Sequence, residues 1–178
     1  MSQCDCEITE TLIHDCYQSV LGEVANIVPL EQWRVQPRKL GFSTHKSKYG
    51  QATPDGQVLI NTIFVGTSSH TKLDQTMRHE LAHLAVGLHH HHDKHFRRME
   101  RRFGVDPTLD LTQELDQLQD KITFKYTVIA HLMDGRVREL GGVHRKTKVY
   151  SQYPRDGKYT MSIDGVRVEW FEFLENRV

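Results

Sequence analysis

Apolar residues recur at helical spacing between residues 8 and 28, at Ile8, Leu12, Cys16, Val20 and Val24, with Leu21 widening the stripe. The pattern predicts an amphipathic scaffold helix. Pro29 and Pro37 bracket a connector in which Trp33 reads as a core anchor. Residues 40–65 then read as strands and turns. KLGFSTHKSKYGQATPDG is a basic, glycine-bearing hairpin, and QVLINTIFV is a β-branched run expected to form a buried or edge strand. The next helix should start at Ser69 or Thr71, carry Leu73, Met77, Leu81 and Leu84 on its apolar face, and end at Gly87. A further helix follows His92, with Phe96, Met99 and Phe103 inward and Arg97, Arg98, Arg101 and Arg102 on the other side. LDLTQELDQLQDK predicts an acidic helix.

Beyond residue 121 the period shortens. FKYTVIAHLMDGRVRELGG, KTKVYSQYP, KYTMSIDG and VRVEWFEFL read as short strands, with turns at Asp134-Gly135, Asp156-Gly157 and Asp164-Gly165. The expected fold class is therefore α+β. Residues 1–120 form a helical domain with a small β-sheet, and residues 121–178 a small antiparallel β subdomain.

Composition narrows the class. With 178 residues, 38% hydrophobic and 26% charged, the chain suits one soluble globular domain with a small appendage. No run reaches the roughly eighteen apolar residues that a membrane span needs. The opening MSQCDCEITE lacks the basic start and apolar stretch of a secretory signal. A formal net charge of +0 argues against wholesale attraction to nucleic acid and leaves only local patches. Cys4, Cys6 and Cys16 do not make a disulfide framework, which fits a reducing cytoplasm. Cys4 and Cys6 read as ordinary residues of a terminus rather than as a metal-binding pair.

The chemistry concentrates in RHELAHLAVGLHHHHDKHFRRMERRFG, which holds seven of the twelve histidines. His79 and His83 are four apart, so on a helix both imidazoles can reach one ion. Glu80 sits beside the first and can approach a metal-bound water as general base without ligating the metal. This is the H-E-x-x-H arrangement of zinc hydrolases, in which three protein ligands leave a fourth position for water. In so histidine-rich a chain the pattern arises by chance about one time in twenty, so its context matters. That context is a helix preceded by a β-rich strand and followed by more histidines. For the third ligand the candidates are His89, His90, His91, His92 and His95. His89 gives a spacing close to that of metzincins, but Val86 stands where that family has glycine, and Met133 is a poor Met-turn. His92 opens a new helix that Phe96, four residues on, anchors beneath the site, and this arrangement is preferred. His95 reads as solvent-facing or as a neighbour of the ligands.

The same run resembles the SprT-like metallopeptidase domain, the family of bacterial SprT and the eukaryotic Spartan proteases. His92-Asp93-Lys94-His95-Phe96 is similar to that family's H-G-K-x-aromatic element, with aspartate in place of glycine, and VLINTIF is similar to the strand before its active helix. The resemblance covers residues 8–107. It implies a zincin-like fold, a Zn2+ cofactor held by His79, His83 and His92, Glu80 as catalytic base, and hydrolysis of protein or peptide substrates. It implies a substrate lying along an edge strand, for which residues 58–64 are the candidate. It also raises DNA-associated proteins as a substrate class. Lys46, Lys48, the four arginines at 97–102, and Arg136, Arg138, Arg145, Lys146 and Lys148 are the basic residues that could meet phosphates; the competing reading is that they are solvated faces.

The family often continues into a zinc ribbon with four cysteines. This chain has none beyond Cys16, so residues 121–178 would be a cysteine-less ribbon with Tyr126, Tyr150, Trp170 and Phe173 as its core. His131 and His144 alone could not make a zinc site. Two alternatives stand beside the SprT-type protease. One is a non-catalytic, metal-stabilised DNA- or protein-binding module. The other is a metzincin-like peptidase using His89.

Overall fold

The computed structural model describes residues 6–154 and 159–176. Cys4 and the Asp156-Gly157 turn lie outside them. The fold is α+β and divides into two compact units, Met1–Ile122 and Thr123–Val178. Among the described residues no helix is long and apolar enough to cross a membrane.

In the first unit α1 spans Glu10–Ile27, and the Thr9 hydroxyl caps it by accepting the Leu12 amide N–H at 3.1 Å. Its buried residues are Ile13, Tyr17, Val20 and Val24. The expected row at Ile8, Leu12 and Cys16 is displaced. Steps of four advance about 40° beyond a full turn, so such a row spirals off one face, whereas alternating steps of four and three hold it. Ile8 is still buried, but ahead of the helix, and Leu12, Cys16 and Leu21 flank the core. Trp33 is buried and donates its indole N–H to the Val28 carbonyl at 2.8 Å.

Three strands follow: β1 at Lys39–Ser43, β2 at Gly50–Ala52 and β3 at Gln57–Asn61. The expected hairpin between residues 39 and 56 does not form. Instead β3 lies in the middle, parallel to β1 and antiparallel to β2. Val58 and Ile60, both fully buried, explain why the most apolar strand takes the centre. The edge-strand expectation for residues 58–64 is therefore corrected: the chain turns into a 3-10 helix at Thr62–Phe64, and β2 is an edge. Asn61 ends β3. Its side-chain amide donates to the carbonyls of His45 and Lys48 at 2.6 and 2.8 Å, pinning the loop that leads into β2.

The central helix α2 spans His70–Val86 and stops at Gly87, whose φ of 96° favours glycine. Neither Ser69 nor Thr71 caps it. Glu114 does so from a distance, its carboxylate accepting the amide N–H groups of Thr71 and Lys72 at 3.3 and 2.6 Å. Glu114 belongs to α4, Thr112–Asp120. Between them α3, Lys94–Arg102, begins at Asp93, which accepts the amide N–H groups of His95 and Phe96. Asp93 thus acts as a helix cap.

The second unit is an antiparallel sheet in the order β5-β4-β7-β6, with β4 at Tyr126–Leu132, β5 at Val137–Val143, β6 at Ser162–Ile163 and β7 at Val166–Glu175. KTKVYSQYP is not a strand but contains α5, Lys148–Ser151. Val128, Ala130, Leu132, Val168 and Phe171 form the core, with Tyr150 and Phe173 packed against it. Trp170 does not join them. A register shift between His131 and Leu132 puts Val168 and Phe171 on one face, so Trp170 turns outward, 44% exposed and stacked on His131 at 3.8 Å. The Tyr126 ring meets Phe173 edge-on and has the ammonium groups of Lys125 and Lys146 over it.

Candidate metal centre

Four side chains of the first unit converge on one cleft. His79, Glu80 and His83 come from the buried middle of α2, and His92 comes from the residue before the cap of α3. The Nε2 atom of His92 lies 3.3 Å from Nε2 of His79 and 3.3 Å from Nε2 of His83. Metal–nitrogen bonds of about 2.0–2.1 Å in a tetrahedron place neighbouring nitrogens roughly 3.3–3.4 Å apart. Two of the three edges therefore already match an ion's coordination sphere, and all three ligand atoms lie within 4.8 Å of one another. These three histidines are close enough to hold a metal ion. Among the described residues no fourth histidine, cysteine or carboxylate joins the group.

Packing and backbone direct the rings. Phe96 is buried beneath all three, stacked against His83 at 4.1 Å and edge-on to His79 and His92 at 5.0 and 5.1 Å. His91 adopts a φ of 46°, a left-handed conformation unusual for a side-chain-bearing residue. This turn reverses the histidine run. His92 goes to the site, while His89, His90 and His95 form a separate row with ring separations of 4.2 and 4.6 Å. His91 lines the cleft without joining the trio.

His79 donates from Nδ1 to Glu100 at 2.7 Å, which leaves Nε2, the atom turned to His92, as the one able to ligate a metal. Sequence reasoning missed Glu100, although His92, Phe96 and Glu100 follow one another at four-residue helical spacing. Burial lowers the His79 pKa against the opposing pull of Glu100. It pushes His83 down to about 4, helped by the charges of His79, His92 and His91. Both rings are thus biased towards neutral imidazole, the form that ligates a metal.

Glu80 is 6% exposed. Burial pushes its carboxyl up to about 7, opposed by the Ala52 amide and the Lys48 charge. The Ala52 N–H donates to Oε2 at 2.7 Å, so the edge strand fixes where this carboxylate stands. A β-carbon at Gly50 would meet Glu80 Cγ and Thr76 Cγ2 at 2.8 Å and Glu80 Oε1 at 2.9 Å. Gly50→Ala is therefore expected to lower the unfolding free energy by about 1–3 kcal/mol, read from urea transitions at unchanged slope.

The cleft is about 790 Å³. Its lining includes the edge strand, Lys72, and the apolar Val105, Pro107, Leu109 and Leu111. Glu80 does not belong to the ligand trio, yet it lines the same cleft from the residue after His79. In the second unit, His131 is tied to Trp170 and Glu172, and His144 packs against Phe124. Among the described residues, neither belongs to a group that could hold a metal.

Compared with known proteins, the chain matches no family model, no curated protein and no solved structure.

Proposed function

We propose that the chain is a zinc-dependent peptidase of the SprT type, acting on protein or peptide substrates. The observation that carries this reading is the pairing of the three convergent imidazoles with Glu80, a buried carboxylate in the same cleft but outside the ligand set. A purely structural site would take a fourth protein ligand, whereas a catalytic one keeps a position open. Histidine nitrogens in a tetrahedral arrangement suit zinc. When bound there, zinc supplies a Lewis acid that brings the pKa of water towards neutrality.

The chain's own residues perform the rest. Glu80 takes the proton of the attacking water and returns it to the leaving amine. Its hydrogen bond to Ala52 holds it beside the edge strand. The Tyr49 carbonyl accepts from Asn61 and so faces β3, and alternation turns the polar backbone groups of Gly50 outward. An extended substrate can pair with that edge. The exposed arginines of α3 are the residues through which DNA-associated substrates would be met, whereas Arg136 and Arg138 are ion-paired to Asp134 and Asp164.

The test is metal analysis combined with cleavage. Purified chain should carry about one zinc and cleave an unfolded protein. A strong chelator should abolish cleavage, and added zinc should restore it. Stoichiometric zinc with no cleavage, with or without single-stranded DNA, would instead leave a metal-stabilised binding module.

A further inference from the structure

We infer that the cleft selects peptides bearing a carboxylate near the scissile bond, held by the ammonium groups of Lys72 and Lys48. This rests on the peptidase reading for the ligand's being a peptide, but not for its charge.

Both lysines line the cleft. Neither forms an ion pair within 4.0 Å among the described residues, whereas the other carboxylates of the cleft wall are already engaged. Glu100 holds His79, and Asp106 accepts the amide and hydroxyl of Thr108. Glu114, the carboxylate whose charge acts on Lys72, spends its oxygens on the α2 amides.

The Lys72 side chain and the Lys48 backbone are also held in place. Lys72 lies half-buried with its ammonium over the Tyr49 ring at 5.0 Å. The Lys48 carbonyl is fixed by Asn61. Their charges act on the site itself, Lys72 on His79 and Lys48 on Glu80. Burial lowers the pKa of Lys72, and an incoming carboxylate would offset that cost. Apart from Asp106, the part of the lining supplied by residues 105–111 is apolar, at Val105, Pro107, Leu109 and Leu111, which suits peptide side chains better than a sugar-phosphate chain.

Lys72 stands two turns before His79 on α2. That is a rise of about 10 Å, or about three residues of extended peptide. The carboxylate therefore belongs within about three residues of the cleaved bond. Either an acidic side chain or a free C-terminus can supply it.

The experiment measures binding apart from cleavage. Short fluorescent peptides, with one Glu or Gln moved along an otherwise neutral sequence, are titrated onto zinc-loaded Glu80→Gln protein. Each is made with a free and an amidated C-terminus. At one register the Glu peptide should bind about tenfold tighter than its Gln twin. That preference should vanish in Lys72→Met, weaken in Lys48→Met and persist in Lys72→Arg. A preference that survives amidation assigns the carboxylate to a side chain, and one that follows the free terminus assigns it there.

Equal binding of Glu and Gln peptides overturns the inference, and so does a preference untouched by Lys72→Met. It is also overturned if a single-stranded oligonucleotide displaces the neutral peptide through Lys72 as well as the Glu peptide does. The two readings fail separately. Wild type that shows the preference but cleaves nothing loses the peptidase function and keeps the carboxylate site. Wild type that cleaves acidic and neutral peptides alike keeps the function and loses the site.

Discussion

His92→Ala should abolish the proposed zinc binding. His92 is the residue that closes the trio, with its Nε2 at 3.3 Å from the corresponding atoms of both other histidines. Without it two imidazoles on one helix remain, and a two-nitrogen site does not hold zinc against a competing chelator. Affinity should fall by well over 100-fold, beyond the roughly 10–100-fold that removal of an outer-shell partner brings. Glu100→Gln supplies that comparison, since it removes only the carboxylate that orients His79. His89→Ala should leave metal content unchanged, because the His89 ring packs beside His90, away from the trio. Metal analysis after dialysis against a graded chelator distinguishes the three variants. If His89→Ala loses the metal and His92→Ala keeps it, the metzincin-like reading replaces the present one.

Glu80→Gln should separate metal binding from chemistry. The amide occupies the same volume, so the fold and the ligand trio survive. One amide atom can still accept the Ala52 N–H, but the side chain no longer takes up a proton at neutral pH. Loss of a positioned general base costs about 10²–10⁴ in rate. The expected result is a folded, zinc-loaded chain whose kcat/KM for peptide cleavage falls by that factor. Activity retained within a few-fold would remove Glu80 from the mechanism. Lost zinc would mean that the carboxylate serves the metal site instead.

The histidine pair and its helix were legible in the sequence because helical spacing is a local property. A motif of five residues, an apolar stripe and a terminal glycine are enough to place His79 and His83 on one face. His92 was legible for a similar reason: Phe96 four residues later supplies a packing anchor at helical spacing. The contacts that position the site were harder to read, because they join distant segments. Nothing local to Glu114 says that it caps a helix more than forty residues earlier, and nothing local to Ala52 says that its amide meets Glu80. Strand order failed for the same reason. Residues 39–56 look like a hairpin from their turn residues alone, and only the burial of Val58 and Ile60 draws β3 between its neighbours. In the second unit, one register shift in β7 exchanged the roles of Trp170 and Phe171.

The distant cap on α2 ties two parts of the chain into one working piece. The helix that bears the first two imidazoles does not finish its own beginning; an acidic segment lying after the third imidazole does so. Trimming the domain just past α3 would preserve the histidines together with Phe96 and Glu100, yet it would loosen the first turn of the helix that aims the first two rings. The smallest piece that keeps the centre in register therefore reaches at least to α4, farther than the histidines alone suggest.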